Sequence, residues 1–153
     1  MAVSSNRQGP PDRAAFARFV PLATRWSDND AYGHLNNVVY YSLFDTAVNA
    51  LLIDAGLLDP TTSPIVGIVV ETSCRYYSSL TYPDLAEVGV AVEHLGRTSV
   101  RYHLGVFKAG APVAAAAGRF TARGRAFPSA RRRRRHRNGR RIPPPRRRGR
   151  TAP

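Results

Sequence analysis

Asp28, Asp30, Gly33, His34, Asn36 and Asn37 fall in one short stretch, Trp26-Ser27-Asp28-Asn29-Asp30-Ala31-Tyr32-Gly33-His34-Leu35-Asn36-Asn37-Val38-Val39-Tyr40-Tyr41. Ser27-Asp28-Asn29-Asp30 is turn chemistry, because Asx side chains bond to nearby backbone amides. Just beyond it a helix is expected to begin near Asn36. A helix start presents unpaired amides and a partial positive charge, which suits it to polarise a carbonyl oxygen. A carboxylate beside it can attack the carbonyl carbon or activate water. Together these parts make a minimal acyl-transfer site.

Each residue also has a plainer use. Asp28 and Asp30 can serve only the turn, and Asn36 is a good N-cap. His34 suits a structural or solvent-facing role. Tyr40 and Tyr41 suit packing in the core or at an interface.

The surrounding pattern must position these groups. Phe19 to Trp26 suits a strand, with aromatic and branched residues in loose alternation. Tyr40, Phe44, Ala47 and Leu51 are spaced four, three and four apart, which puts them on one helix face. Gly56 is a plausible stop for that helix. Ile65 to Tyr77 is rich in branched residues and reads as a long buried strand. Glu71 lies inside it and is placed to face a cleft. Val88, Val90 and Val92 alternate, and so do Val100, Tyr102, Leu104 and Val106. These predict strands over 86–95 and 99–108, joined at Gly96-Arg97. A last strand is expected over 113–121, weakly held because four successive alanines supply it. Short turns imply antiparallel pairing. The fold class is therefore α+β, with one long helix against an antiparallel sheet of about five strands.

The chain has 153 residues, 43% of them hydrophobic, which fits one domain with an ordinary core. No apolar run approaches the roughly 20 residues of a membrane span, and the first residues lack a secretory signal pattern. The lone cysteine, Cys74, forms no internal disulfide and belongs to no metal-ligand cluster. These features point to the cytoplasm. Cys74 itself reads as a small buried hydrophobe.

The net charge of +13 is unevenly spread. Residues 127–153 hold 12 arginines and no acid, leaving 11 basic and 10 acidic residues in 1–126. A near-neutral body thus carries a polycationic end. The expected division is a loose leader over 1–17, a folded domain over 18–123 and an Arg/Pro-rich disordered tail over 124–153. Such a tail can bind nucleic acid by counterion release, and no other part of the chain suggests that partner. The alternating pattern of the last strand fails from about Thr121. A shifted reading frame in a GC-rich gene would produce this arginine and proline excess; a divergent genuine tail is the alternative.

At Trp26, Ser27, Asp28, Asp30, Gly33, His34, Leu35, Asn36, Asn37 and Tyr40 the sequence resembles the 4-hydroxybenzoyl-CoA thioesterase family of hotdog proteins. The resemblance extends over about 17–121, including the Leu95-Gly96-Arg97-Thr98-Ser99 turn. It implies a hotdog fold and hydrolysis of an acyl-CoA thioester. Asp30 matches the catalytic carboxylate, as nucleophile or general base. The Asn37 backbone amide would polarise the thioester carbonyl, His34 would assist, and Gly33, Asn36 and Tyr40 would meet substrate. Another hotdog class uses a helix glutamate, but this helix offers Asp45 within its span and no Glu, which favours Asp30. No metal and no cofactor are expected, coenzyme A being part of the substrate. The resemblance also implies a homodimer with joined sheets and the site at the interface, often doubled to a homotetramer. Two other readings stay open at this point: an inactive hotdog binding module with a nucleic-acid-binding tail, and a thioesterase acting on acyl carrier protein. A hotdog dehydratase fits less well, because the surroundings of His34 differ from the hydratase pattern.

Overall fold

The computed structural model describes residues 9–126. The elements run β1 (Arg18–Ala23), α1 (Asn37–Asp54), β2 (Ile65–Tyr76), β3 (Leu85–Leu95), β4 (Ser99–Lys108) and β5 (Ala116–Ala126). The five strands form one antiparallel sheet in the order β1-β3-β4-β5-β2. One face of this sheet packs on α1, as the sequence pattern requires.

Helix α1 buries the expected stripe. Tyr40, Phe44 and Ala47 are buried, joined by Leu43 and Val48, while Leu51 is half-buried. Facing them are Ala86, Val88 and Val90 of β3, Tyr102, Leu104 and Val106 of β4, and Ala116, Phe120 and Ala122 of β5. Alternate residues along each strand supply this core, which is the period-2 logic of a sheet with one covered face. Asn36 caps the helix through its side chain, and Gly56 follows its end with φ +69°. That left-handed conformation suits a residue without Cβ.

Two expectations are corrected by the sheet. The first concerns Ile65–Tyr76, expected to be buried. It is an edge strand, with Ile65, Ile68, Val69 and Val70 all exposed. Branched residues mark apolar surroundings, but composition does not say which chain supplies them. Glu71 is exposed on this strand and does not line the cavity described below. The second concerns β5, which starts at Ala116 and continues to Ala126, pairing with β2 along its whole length. Its final residues are exposed, so their pairing needs no apolar alternation. The alanines prove well placed: Ala114 to Ala117 are all buried. Residues 127–153 of the basic tail, and 1–8 of the leader, lie outside the described residues.

The leader is not loose throughout. Asp12 bridges to Val113, Arg13–Ala15 forms a 3-10 turn, and Phe16 is buried. This strap crosses the sheet face opposite α1. Phe16 packs with Phe107 and Ala114 in a second small core. A slot makes this possible: Gly89 and Gly105 are paired in register, and a Cβ on either would approach the Phe16 ring to 2.7 or 2.6 Å. Arg13 adds an ion pair to Glu87 at 2.8 Å and lies 4.2 Å from the Phe19 ring centroid. Sequence alone gave Phe16 no visible partner, because its contacts lie far along the chain.

No helix of the described residues is long and apolar enough to cross a membrane.

Candidate active site

The loop between β1 and α1 is built by its own polar groups. Strand β1 ends at Ala23, before the expected Trp26, because the chain turns there. Thr24 donates to the Asp84 carbonyl at 2.6 Å, and Trp26–Asp28 forms a 3-10 turn. Asp28 is buried, and its carboxylate accepts from the Arg25 amide at 2.8 Å and from the Arg25 guanidinium at 2.7 and 3.0 Å. The Arg25 hydrogen bonds hold the Asp28 carboxyl below its usual range. Its backbone carbonyl takes the Asn36 amide at 2.8 Å. Asp28 is therefore fully engaged in holding the loop against the helix start.

Asp30 is arranged differently. Its Oδ1 accepts from the amides of Tyr32 and His34, at 2.8 and 3.1 Å. Its own amide donates to the His34 carbonyl at 2.8 Å, and Gly33 donates to its carbonyl at 3.1 Å. Gly33 makes this tight turn with φ +75°. Among the described residues, Oδ2 has no hydrogen-bond partner. One oxygen is fixed and the other is free.

A second strip holds the loop from outside. Thr81 donates to the Gly33 carbonyl at 2.7 Å, and Asn29 bridges to Thr81 and to the Tyr82 amide. Leu35 donates its amide to the Leu80 carbonyl at 2.7 Å. Tyr40 accepts the Leu80 amide on its hydroxyl at 3.3 Å. Burial pushes the Tyr40 hydroxyl up, so it stays protonated.

Asp30, His34, Asn36, Asn37 and Tyr40 line one cavity of about 430 Å³. Gly33 does not line it; the structure gives it the turn and the Thr81 contact. Tyr40 contributes from the core, being 2% exposed. The opposite wall is Tyr76, Tyr77, Ser78 and Ser79, which the sequence reading did not single out. The available signal was the abrupt change from branched residues to two tyrosines and two serines. Two further cavities, of about 400 and 730 Å³, lie under the C-terminal half of α1 and include no residue of the 26–37 stretch. Among the described residues no group of three or more His, Cys, Asp or Glu is placed to hold a metal.

At the helix start, the Asn36 side chain accepts the Val38 amide at 3.2 Å and the Asn36 carbonyl accepts the Val39 amide at 2.9 Å. The Asn37 amide has no partner among the described residues. The site thus offers a free carboxylate oxygen and an unpaired amide at a helix N-terminus. That pair can stabilise an oxyanion and supply a nucleophile or base beside it.

The sequence profile of the Thioesterase superfamily matches residues 32–115. The chain belongs to the thioesterase superfamily. Its architecture is the hotdog thioesterase fold, one helix on a five-stranded antiparallel sheet. The superfamily match begins just after Asp30 and takes in His34, Asn36, Asn37 and the Tyr76–Ser79 wall. Among solved structures, the PA5185 protein of Pseudomonas aeruginosa is 42% identical, with TM-score 0.75, over 88% of this chain and 89% of that one. A candidate acyl-CoA thioesterase from Xanthomonas campestris is 26% identical, with TM-score 0.64, over 71% of this chain and 92% of that one. A DHNA-CoA thioesterase from Staphylococcus aureus, 19% identical with TM-score 0.62, covers 71% of this chain and 73% of its own, and shows the shared fold alone. No curated protein matches the chain closely enough to count as a relative. Membership of the superfamily supports thioester hydrolysis as the general reaction class of the protein.

Proposed function

We propose that this thioesterase hydrolyses acyl-coenzyme A, with Asp30 as its catalytic carboxylate and the Asn37 amide as the donor to the thioester oxygen. The observation that carries the reading is that both groups line one cavity, each with hydrogen-bonding capacity unused. Negative charge develops on the carbonyl oxygen as the carbon becomes tetrahedral, and a helix N-terminus favours it there.

Two routes use the same groups. In one, Asp30 Oδ2 bonds to the carbonyl carbon, the C–S bond breaks, and coenzyme A leaves as its thiolate, which takes up a proton released when the anhydride is hydrolysed. Water then cleaves the mixed anhydride and restores the carboxylate. In the other, Asp30 takes a proton from the attacking water and the leaving sulfur receives one. Either route consumes one water per thioester and yields the free acid and coenzyme A. His34, exposed at the cavity, and Asn36, at the helix cap, shape the site in both.

The working unit in this reading is a homodimer joined through β2, which can pair again as a tetramer. Support comes from the free edge of β2 and the exposed Ile65, Ile68, Val69 and Val70 along it. A long apolar edge left bare is an aggregation hazard, so a partner strand accounts for it. Beyond one subunit, the sheet would then continue through the pair.

The test is release of free thiol from acetyl-, octanoyl-, palmitoyl- and benzoyl-CoA, with an octanoylated acyl carrier protein alongside. Turnover of at least one CoA thioester above the carrier-protein rate is expected. Turnover of the carrier-protein thioester alone would replace coenzyme A with a carrier protein. No turnover of any thioester by folded protein would leave only a binding module.

A further inference from the structure

The peptide group joining Asn37 to Val38 is held at both ends by side chains. Its N–H donates to Asn36 Oδ1 at 3.2 Å. Its carbonyl, that of Asn37, accepts the hydroxyl of Tyr76 at 3.1 Å. The preceding peptide group, joining Asn36 to Asn37, carries the unpaired amide and is held through its carbonyl, which accepts the Val39 amide and begins the helical ladder. The two planes meet at the Asn37 Cα, so fixing the second limits the rotation open to the first.

Tyr76 is well placed for this work. It is the last residue of β2, and its ring stands edge-on to Tyr40 at 5.2 Å and 80°. Tyr40 is itself fixed by the Leu80 amide. Although Tyr76 is 45% exposed as a whole, partial burial first, then Cys74 and Tyr41 beside it, raise its hydroxyl above the ordinary range. It therefore stays protonated and able to donate at any working pH.

We propose that Tyr76 is a positioning residue: with Asn36 it clamps the 37–38 peptide plane and so sets the direction of the Asn37 amide. The inference rests on the reading of Asn37 as the donor to the thioester oxygen. It also makes Tyr76 a link between the edge strand and the site. The same strand that offers its free edge to a second subunit ends in the side chain that fixes the helix start.

The test is steady-state hydrolysis by the full chain, on whichever CoA thioester turns over fastest. Tyr76→Phe keeps the ring against Tyr40 and removes only the hydroxyl. It is expected to lower kcat on the order of tenfold, because small misplacements of a donor are costly in the transition state. KM should stay within about twofold, since the lost interaction belongs to the transition state. Asn36→Ala releases the other end of the plane and should lower kcat similarly. The double variant should lose less than the product of the two single losses, because a plane already freed has little left to lose. Asp30→Asn is assayed beside them. Lost activity in Asp30→Asn with kcat unchanged in Tyr76→Phe would overturn the positioning role alone. A Tyr76→Phe effect confined to KM or to thermal stability would do the same. Full activity in Asp30→Asn would instead remove the catalytic reading on which the inference stands.

Discussion

The carboxylate of Asp30 and the backbone of His34 close a ring: Oδ1 accepts the His34 amide at 3.1 Å, while the Asp30 amide donates to the His34 carbonyl at 2.8 Å. The side chain is thus oriented by the loop it helps to build. An asparagine there keeps the accepting oxygen and loses the charge, whereas an alanine loses both. Asp30→Asn should therefore retain the wild-type melting temperature, and Asp30→Ala should lose about 0.5–1.5 kcal/mol of stability, because the Tyr32 and His34 amides it frees are exposed and can turn to water. Thermal melts of the two variants check this. Equal stability of both would show that the ring contributes nothing to the loop.

The slot under Phe16 makes a sharper packing prediction. Gly105→Ala would drive a Cβ to 2.6 Å from the ring and should destabilise the protein by about 1–3 kcal/mol. In a Phe16→Ala background only the Phe107 ring, 3.0 Å from the new Cβ, remains in close contact, and the same change should cost less. Urea titrations of the four proteins measure the difference. Equal costs in both backgrounds would mean that the strap does not occupy the slot in solution.

Asp28 predicts a pH dependence. Its carboxyl is lowered in the folded protein by Arg25, so its contribution is present above the unfolded value of about 3.9 and is lost as pH falls through the folded value. Asp28→Asn should cost about 1–3 kcal/mol near neutral pH, where charge-assisted bonds are removed. The gap from wild type should narrow below about pH 4 as wild-type Asp28 protonates. Denaturant melts at pH 7 and below 4 give both numbers, and a gap independent of pH would contradict the pairing.

Ile68→Lys places a charge on the exposed β2 edge, a device that natural edges use to refuse partners. Sedimentation should show wild type as a dimer or larger and the variant as a monomer. A wild-type monomer, or a variant of unchanged mass, would remove β2 as the joining edge.

Much of this was legible in the sequence because it is local. The extent of β4 follows from the alternation of Val100, Tyr102, Leu104 and Val106, and the helix face from Tyr40, Phe44 and Ala47. Asn36 was readable as a cap because capping spans only a few residues. The unreadable parts involve distant partners. Phe16 depends on glycines more than seventy positions away, which no periodicity reveals. The branched run of β2 announced apolar surroundings but not an edge. Tyr76 reaches the helix start across the fold, through one hydroxyl, and only the folded chain shows that contact. Asp28 and Asp30 looked alike by type and spacing; their hydrogen bonds separate a fully engaged carboxylate from one with a free oxygen.

The most direct test of the account is kcat/KM for acyl-CoA hydrolysis by wild type and Asp30→Asn, with folding and assembly matched. A loss of roughly 10²–10⁴-fold in the asparagine variant is the predicted result, on the scale of removing a positioned acid–base group. Equal kcat/KM in the two proteins would contradict the assignment of Asp30 and, with it, the site proposed around the start of α1.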